Sequence, residues 1–216
     1  MKRYLNSLIP RTIEVVDSPL NGRIEVVQFL NQPRIIVNKM IQSGGMVKTI
    51  WQKGVKRLES LKLNIQTVLI LGLGGGTVAK LISRSFPQAQ ITGIEIDPLM
   101  INLGKKYFAL NKIKGLKIIN KDALRAVSNL PKIGGNYCLI IVDLYLGASF
   151  PSRAETKDFL DELKQLVSPQ GRIVFNRLFY QEKKKETEKF IKKLDHSFSD
   201  IELVRAWSNL LIFCQS

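Results

Sequence analysis

The feature that most constrains this chain is an apolar run that ends in clustered glycines, VLILGLGGGT at 68–77. The run has the length of a buried strand, and a helical pattern begins directly after it at Val78. A strand, a glycine-rich turn and a helix form the opening unit of nucleotide-binding α/β domains. Glycines let a ligand approach the backbone closely, and the helix N-terminus offers unpaired N–H groups. The stretch therefore predicts a nucleotide site at the start of a parallel sheet.

The spacing of these glycines indicates the class of nucleotide. A dinucleotide fingerprint requires glycine at its first, third and sixth positions, but the sixth position here is Thr77. Gly72, Gly74 and Gly76 instead match the GxGxG pattern of class I S-adenosylmethionine (AdoMet) enzymes. We therefore expect these three glycines to contact AdoMet or a related nucleoside.

A second apolar strand supplies a carboxylate for the same ligand. It ends in Glu95, where an acidic side chain can accept hydrogen bonds from both ribose hydroxyls of an adenosine. We also assign Asp97 to the cofactor site, although Asp97-Pro98 fits equally well as the N-cap and first residue of a helix.

The pattern from residue 67 onward alternates regularly between strands and helices. The predicted strands are Thr67–Leu71, Gln90–Glu95, Leu116–Asn120, Tyr137–Asp143, Arg172–Asn176, Ile201–Trp207 and Leu210–Cys214. A tight link joins the last two strands, so they must pair antiparallel. The sequence predicts a class I AdoMet-dependent methyltransferase-like Rossmann fold, an α/β fold with a seven-stranded sheet whose last strand pair is antiparallel.

The region before this core has a different pattern. Short strands at 12–17, 23–30 and 34–38 are separated by turn residues, which predicts an antiparallel meander. We therefore divide the chain into an N-terminal β-strand domain (1–45), a connecting helix (46–66) and an AdoMet-binding Rossmann-like domain (67–216).

The composition limits the partners of this chain. The net charge of +15 attracts anionic small molecules or nucleic acid and repels polycations, although lysines that solvate the surface explain it equally well. Two cysteines lie in strand patterns and the single histidine, His196, has no ligand-like neighbours, so we expect reduced thiols and no metal. We find neither a secretory signal nor an apolar run of the ~20 residues that span a bilayer, so we expect a cytoplasmic protein without a membrane partner.

Two more carboxylates lie at predicted strand ends. Asp122 is placed to accept a hydrogen bond from an adenine amino group, and it also suits the N-cap of the following helix. Asp143 ends an apolar strand, where a carboxylate is costly unless it is paired, for example with a substrate ammonium. We assign catalytic roles to Asp143 and Tyr145; Tyr145 either contacts the acceptor or packs its loop onto the sheet.

The chain resembles the spermidine synthase (aminopropyltransferase) family over nearly its whole length. The matching motifs are the Gln42-Ser43 segment, the glycine loop, Glu95-Ile-Asp97-Pro98, Lys121-Asp122-Ala123 and Ile141-Val-Asp143. The resemblance implies a β-strand domain followed by an AdoMet-type Rossmann core. It also implies that Gln42, Glu95, Asp122 and Asp143 bind the nucleoside and its amino-acid tail, and we assign Ala123, of the same motif as Asp122, to the cofactor site as well.

The chain departs from the family at three places. The family's glycine loop reads GGGDGG, and Gly75 stands where its Asp helps to hold the donor's amine. The family also carries an Asp-x-x-Asp motif, whose second Asp deprotonates the attacking putrescine. In this chain the corresponding stretch is Asp143-Leu-Tyr-Leu146, so the second Asp is replaced by Leu. Ile50-Trp51 occupy the region of a Tyr-His pair. Because an ammonium must lose a proton before it attacks, the departures argue against polyamine chemistry.

These observations favour an AdoMet-dependent methyltransferase with an unknown small-molecule acceptor, and the charge leaves an anionic or nucleic-acid acceptor open. The alternative is a polyamine aminopropyltransferase that uses decarboxylated AdoMet and releases methylthioadenosine. A nucleoside-binding protein without catalysis is a further alternative, and an NAD-dependent oxidoreductase is a distant one. Whether the chain forms a homodimer is also left open.

Overall fold

A computed structural model describes residues 9–130 and 137–215 of the chain. Its strands are β1 (Arg11–Ser18), β2 (Gly22–Phe29), β3 (Gln32–Val37), β4 (Met40–Ser43), β5 (Thr67–Leu71), β6 (Gln90–Glu95), β7 (Leu116–Asn120), β8 (Tyr137–Val142), β9 (Val167–Leu178), β10 (Asp200–Ala206) and β11 (Asn209–Gln215). Its α-helices are α1 (Gly45–Ser60), α2 (Thr77–Ser85), α3 (Pro98–Phe108), α4 (Ala123–Ala126), α5 (Lys157–Leu166) and α6 (Lys184–Asp195).

The main sheet has seven strands in the order β10-β11-β9-β8-β5-β6-β7. Strands β5 to β9 run parallel, and β11 pairs antiparallel with both of its neighbours. This arrangement confirms the predicted Rossmann-like fold. The strand order reverses between β5 and β8, and ligands of open α/β sheets bind at such a reversal, beyond the carboxyl ends of the strands.

Both faces of the main sheet are buried, which explains why its strands are continuous apolar runs. On β5, Leu69 faces one core cluster while Val68 and Ile70 face the other, as the two-residue period of a strand requires. Helix α1 contributes its fully buried Trp51 to the second cluster. The segment predicted as a connecting helix is therefore one of the helices that cover the main sheet.

The N-terminal meander has four strands, whereas the sequence pattern predicted three. The additional strand, β4, is short and is joined to β3 by Asn38-Lys39. Both linking residues have positive φ (48° and 65°), which is the geometry of a two-residue hairpin. The usual glycine signal for this turn is absent from the sequence, so the pattern did not reveal the hairpin.

The small sheet packs on α3 and is joined to it by a buried carboxylate. Ile24, Val26, Ile35 and Val37 form a core with Met100 and Leu103 of α3. Asp97, which is 1% exposed, accepts hydrogen bonds from Ser18 Oγ and Asn21 Nδ2 at 2.6 Å each. Its other oxygen accepts from the Leu99 N–H at 2.9 Å, so Asp97 is also the N-cap of α3.

Replacing Asp97 with alanine is expected to lower the free energy of unfolding by about 2–3 kcal/mol, because it removes a helix cap and leaves two buried donors unpaired. Asp122→Ala is the matched control, since Asp122 caps α4 through Leu124 N–H without joining the two sheets. We expect about 1 kcal/mol for that cap alone. Equal losses in urea denaturation of the two variants would contradict a stabilising contact at Asp97.

Two smaller differences from the sequence pattern concern segment boundaries. The turn predicted at 168–171 lies inside β9, where Gln170 has a positive φ of 69° and the pairing with β8 shifts register. The helix predicted at 153–167 is divided into a 3-10 turn (Ser152–Glu155) and α5, which Thr156 caps.

His196 is exposed as predicted. Within residues 9–130 and 137–215, no helix is both long and apolar enough to cross a bilayer.

Candidate functional site

A cavity of about 580 Å³ lies at the carboxyl ends of the central strands. The glycine loop after β5 forms its floor, and β4 with the first turns of α1 contributes another wall. Most of the residues that the sequence analysis assigned to the site line this cavity; they are Gln42, Gly72, Gly74, Glu95, Asp122, Ala123, Asp143 and Tyr145. Gly76 and Asp97 are not among the lining residues.

The glycine loop owes its shape to close backbone contacts. Gly72 has a φ of +88°, and a Cβ there would lie 2.2 Å from the Asp143 carbonyl oxygen. Gly74 has a φ of +54° and lines the cavity. Gly76 is the N-cap of α2, and a Cβ on it would meet Leu110 at 2.2 Å. Gly76 is therefore required for packing, whereas Gly74 both lies close to β4, where a Cβ would be 3.1 Å from Ser43 Oγ, and presents its backbone to the cavity.

The small sheet contacts the loop at Gly75, where the resembled family carries an Asp. The Gly75 N–H donates to Ser43 Oγ at 2.7 Å. A Cβ on Gly75 would lie 2.9 Å from both Ser43 Oγ and Ile35 Cδ1. The loop position is consequently filled by β3 and β4, and an acidic side chain does not fit there without displacing them.

Glu95 is 8% exposed and is held in place before any ligand binds. One carboxylate oxygen accepts from the Gly74 N–H at 2.8 Å, and the other accepts from the Asp97 N–H at 3.0 Å. Burial raises the pKa of Glu95, and these backbone hydrogen bonds oppose the rise. Because each carboxylate oxygen can accept two hydrogen bonds, both oxygens retain capacity for a ribose hydroxyl.

Asp122 and Ala123 follow β7 on the same side of the cavity as Glu95. One oxygen of Asp122 accepts from the Leu124 N–H at 2.9 Å and caps α4. The other lies 3.8 Å from Arg125 Nε, a longer contact on the protein surface. The cap and a hydrogen bond to an adenine amino group are therefore compatible.

Asp143 is the carboxylate on the other side of the glycine loop, and neutral groups hold it. Trp51 Nε1 donates to one oxygen at 2.9 Å, and Asn176 Nδ2 donates to the other at 2.7 Å. Asn176 Oδ1 in turn accepts from Asn209 Nδ2 at 2.8 Å. Burial raises the pKa of Asp143 to about 6, although both hydrogen bonds lower it. Asp143 can therefore exchange a proton near neutral pH.

Tyr145 supports the loop after β8. Its hydroxyl accepts from the Leu178 N–H at 2.8 Å and donates to the Asn176 carbonyl at 3.2 Å. Its ring makes an edge contact with Phe150 at 5.5 Å between centroids. Burial also raises the pKa of Tyr145 above the ordinary value of a phenol. These contacts favour the interpretation that Tyr145 packs the loop onto the sheet.

Gln42 joins the small sheet to this same loop. Its Nε2 donates to the Gly147 carbonyl at 3.2 Å, and its side chain lines the cavity. Gly147 has a φ of +61° and lies against Asn38 of the β3–β4 turn. The meander therefore covers the cavity from above and fixes the loop that follows β8.

The structure adds residues that the sequence analysis did not assign to the site. Trp51, Asn176 and Asn209 surround Asp143, and Ser43 fills the space beside Gly75. In the sequence, Trp51 is visible only as a departure from a Tyr-His pair of the family. Asn176 is a polar residue near the carboxyl end of a strand, where ligands of such sheets bind, and Ser43 belongs to the Gln42-Ser43 segment that resembles the family. Asn209 carries no recognisable signal in the sequence.

Comparisons with known proteins agree with this geometry. The model of the spermine/spermidine synthase domain family matches residues 45–209. A polyamine aminopropyltransferase of Vibrio vulnificus (strain CMCP6) is 31% identical over 111 residues, which are 51% of this chain and 37% of that protein. An eEF1A lysine and N-terminal methyltransferase homolog of Drosophila pseudoobscura pseudoobscura is 28% identical over 170 residues, 63% of this chain and 25% of that protein.

A solved structure extends the comparison to the fold. Human methyltransferase-like protein 13, in complex with SAH (S-adenosylhomocysteine), superposes with a TM-score of 0.61 and 24% identity and covers 79% of each chain. The matched regions make up well under half the length of the two curated relatives.

Both of those relatives are transferases, one an aminopropyltransferase and the other a methyltransferase. The family match extends from the start of α1 to the first residue of β11 and includes the whole glycine loop. The chain belongs to the spermine/spermidine synthase domain family, as the resemblance in its motifs had indicated.

Proposed function

We propose that the chain binds AdoMet in this cavity and transfers its methyl group to an acceptor that lies beside Asp143. The observation that carries the proposal is a contrast within one cavity. The groups suited to a nucleoside are present and held in place, while two groups that the family uses for polyamine chemistry are replaced by Gly75 and Leu146.

The nucleoside half of the site consists of the glycine loop, Glu95 and Asp122. Glu95 is held by the Gly74 and Asp97 N–H groups and would receive the ribose hydroxyls. Asp122 would accept from the adenine amino group at the other end of the nucleoside. The SAH complex of human methyltransferase-like protein 13 supports an AdoMet-related ligand in this fold.

Two positions favour methyl over aminopropyl transfer. Ser43 and Ile35 fill the space beside Gly75, so the loop carries no acidic side chain that would repel the carboxylate of AdoMet. Leu146 occupies the position of the family's second Asp, and its side chain is apolar and 49% exposed. A proton acceptor for putrescine is therefore missing at the place where the family has it.

Bound AdoMet would supply a methyl group activated by its sulfonium. The chain's own contribution is to position the acceptor and to take up its proton. Asp143 faces the cavity with both oxygens already oriented by Trp51 and Asn176, so it can accept a hydrogen bond from the acceptor without first rearranging. Since burial raises its pKa to about 6, it is ionised and ready to take up a proton at neutral pH.

Replacing Glu95 with alanine is expected to weaken AdoMet binding by about 10- to 100-fold, the equivalent of a lost charge-assisted hydrogen bond of roughly 1.5–3 kcal/mol. Calorimetric titration with AdoMet measures the loss. Glu59→Ala, an exposed change on α1 at a residue that does not line the cavity, is the control and should bind normally. Unchanged affinity in a folded Glu95 variant would contradict the ribose contact.

Removing the indole N–H with Trp51→Phe is expected to raise the pKa of Asp143 further. The hydrogen bond stabilises the ionised carboxylate, so its loss should move the titration upward by about one pH unit. Carboxyl ¹³C NMR measures this, with the signal assigned by its absence in Asp143→Asn. Acceptor binding to ionised Asp143 should be lost as the pH falls through about 6 in the wild type, and at higher pH in the variant. An unmoved midpoint would show that Trp51 does not orient the carboxylate.

Calorimetry with AdoMet, decarboxylated AdoMet and NAD tests the proposal. We expect AdoMet to bind at least about tenfold more tightly than decarboxylated AdoMet, because both donors carry the amine but only AdoMet carries a carboxylate, which an Asp at position 75 would repel. NAD should not bind, since Thr77 stands at the third fingerprint glycine. Preference for decarboxylated AdoMet would favour the aminopropyltransferase alternative. Tight AdoMet binding without turnover on any acceptor would favour the non-catalytic one.

A further inference from the structure

The cavity has two halves that differ in chemistry, and the strand order separates them. The ends of β6 and β7 contribute Glu95 and Asp122 to the nucleoside half. The other half lies on the side of β8, β9 and β11 and is completed by the first turns of α1. We call it the acceptor half; its lining residues are Met46, Val47, Ile50, Asp143, Leu144, Tyr145, Leu146, Gly147, Pro151, Asn176, Leu178, Tyr180, Ser208 and Asn209.

The acceptor half holds one charged group among its described residues, the carboxylate of Asp143. The wall that α1 supplies is apolar and consists of Met46, Val47 and Ile50. Asn176 and Asn209 are uncharged, and they already bond to each other and to Asp143. Lys39, from the β3–β4 turn, is the one cation among the described residues that line the whole cavity.

We infer that the acceptor is a single ammonium group at the end of an apolar stem, as in a primary monoamine or a lysine side chain, and that diamines are excluded. This inference rests on the proposed function and names its acceptor class. The ammonium pairs with Asp143, whose hydrogen-bond partners in the described part of the chain are neutral; Asp143 is thereby assigned to the acceptor and not to the donor's amino-acid tail, which the family resemblance had implied. The stem packs along the apolar wall of α1.

The same apolar wall excludes a diamine from the acceptor half. Its second ammonium would leave water and meet Val47 or Ile50 without a counter-charge, and burying an unpaired charge is strongly unfavourable. The net charge of +15 also repels a dication more than a monocation. The acceptor half therefore selects by the number of charges, not by the length of the amine.

The reaction balances with these groups alone and AdoMet. Asp143 takes one proton from the ammonium and later releases it to water. The freed nitrogen lone pair forms a bond to the methyl carbon, and the carbon–sulfur bond breaks with its electron pair remaining on sulfur. The products are the N-methylated amine and S-adenosylhomocysteine.

Two amines of equal length provide the test. Pentylamine and putrescine differ only in a terminal methyl or ammonium group, and Nα-acetyl-lysine N-methylamide represents a protein side chain. Each is titrated calorimetrically into the protein saturated with S-adenosylhomocysteine. We expect pentylamine or the lysine derivative to bind at least about tenfold more tightly than putrescine. Whichever of the two binds more tightly identifies the source of the amine.

Two results would overturn the inference: putrescine binding as tightly as the monoamines, or no binding by any of the three. Saturation with S-adenosylhomocysteine is verified first in the same calorimeter. A failure of the proposed function is visible at that step, because the nucleoside itself would not bind. Failure of the acceptor class alone leaves nucleoside binding intact.

A designed change of preference is a second test. Val47 lies one helical turn before Trp51, which contacts Asp143, so a carboxylate at 47 would lie about one turn from that contact. Val47→Asp is expected to raise putrescine affinity by about tenfold or more. An acidic residue in the first turn of α1 also suits the helix dipole, so the variant should fold. Val47→Asn is the uncharged control. Equal putrescine affinity in the two variants would contradict the exclusion of the second ammonium by the apolar wall.

Discussion

Gly74→Val is expected to weaken AdoMet binding by more than about 100-fold in a protein that remains folded. The Gly74 backbone lines the cavity, and a Cβ there would lie 3.1 Å from Ser43 Oγ, so a branched side chain would push the loop away from β4. Its φ of +54° is a conformation that valine rarely adopts, and its N–H orients Glu95. The substitution therefore distorts the loop on which the nucleoside would lie and also displaces the carboxylate of Glu95.

Gly22→Val is the matched control for backbone strain. Gly22 has a φ of +66°, close to that of Gly74, and a Cβ there meets no atom within 4 Å. The control should lose stability but keep its affinity for AdoMet. Calorimetric titration and thermal unfolding of both variants separate the two effects. Normal AdoMet binding by a folded Gly74→Val protein would show that the loop does not contact the ligand.

Asp143→Asn is expected to slow methyl transfer by about 10²- to 10⁴-fold, the usual contribution of a positioned proton acceptor. The amide cannot accept the acceptor's proton. It also turns an N–H donor toward Trp51 or Asn176, which themselves donate to this position. The variant should therefore lose stability as well, and a control must separate the two effects.

The double variant Asp143→Asn with Asn176→Asp provides that control. It exchanges the two side chains, so the new amide at 143 can donate to the new carboxylate at 176. The amide oxygen at 143 still accepts from Trp51, and the second carboxylate oxygen at 176 still accepts from Asn209. We expect thermal stability to recover and transfer to stay low, because the carboxylate has moved to the neighbouring strand. Near-normal transfer rates in either variant would contradict the assignment of proton uptake to Asp143.

The sequence predicted that the glycine loop, Glu95 and Asp122 would lie together because each of them belongs to a local motif. The glycine loop directly follows the strand that it ends, and Glu95 and Asp122 lie at or just beyond the carboxyl ends of β6 and β7. In a parallel sheet these ends meet at one edge, so the strand pattern alone brings the side chains together.

The acceptor half could not be predicted in the same way. Trp51, Asn176 and Asn209 come from a helix and two strands that are far apart in the chain, and the three residue types are common in many other roles. Only the strand order, with β11 between β9 and β10, brings Asn209 next to Asn176. A local pattern contains no information about such a contact.

The contacts that the small sheet makes with the rest of the protein could not be predicted from the sequence either. Asp97 fitted the pattern of a ribose or cofactor contact, but Ser18 and Asn21 occupy its carboxylate across more than 70 residues of sequence. Ser43 explains why Gly75 can replace an acidic residue, since its hydroxyl accepts the loop N–H in the space that a side chain would need. Both facts depend on how the two sheets pack together.

The nucleoside product of a single reaction tests the central claim most directly. The protein is incubated with AdoMet or with decarboxylated AdoMet, in each case with pentylamine and putrescine together, and the nucleosides are separated by chromatography and identified by mass. We predict S-adenosylhomocysteine and N-methylpentylamine from AdoMet, with no methylthioadenosine above background from decarboxylated AdoMet. Methylthioadenosine together with spermidine would contradict the account and establish an aminopropyltransferase instead.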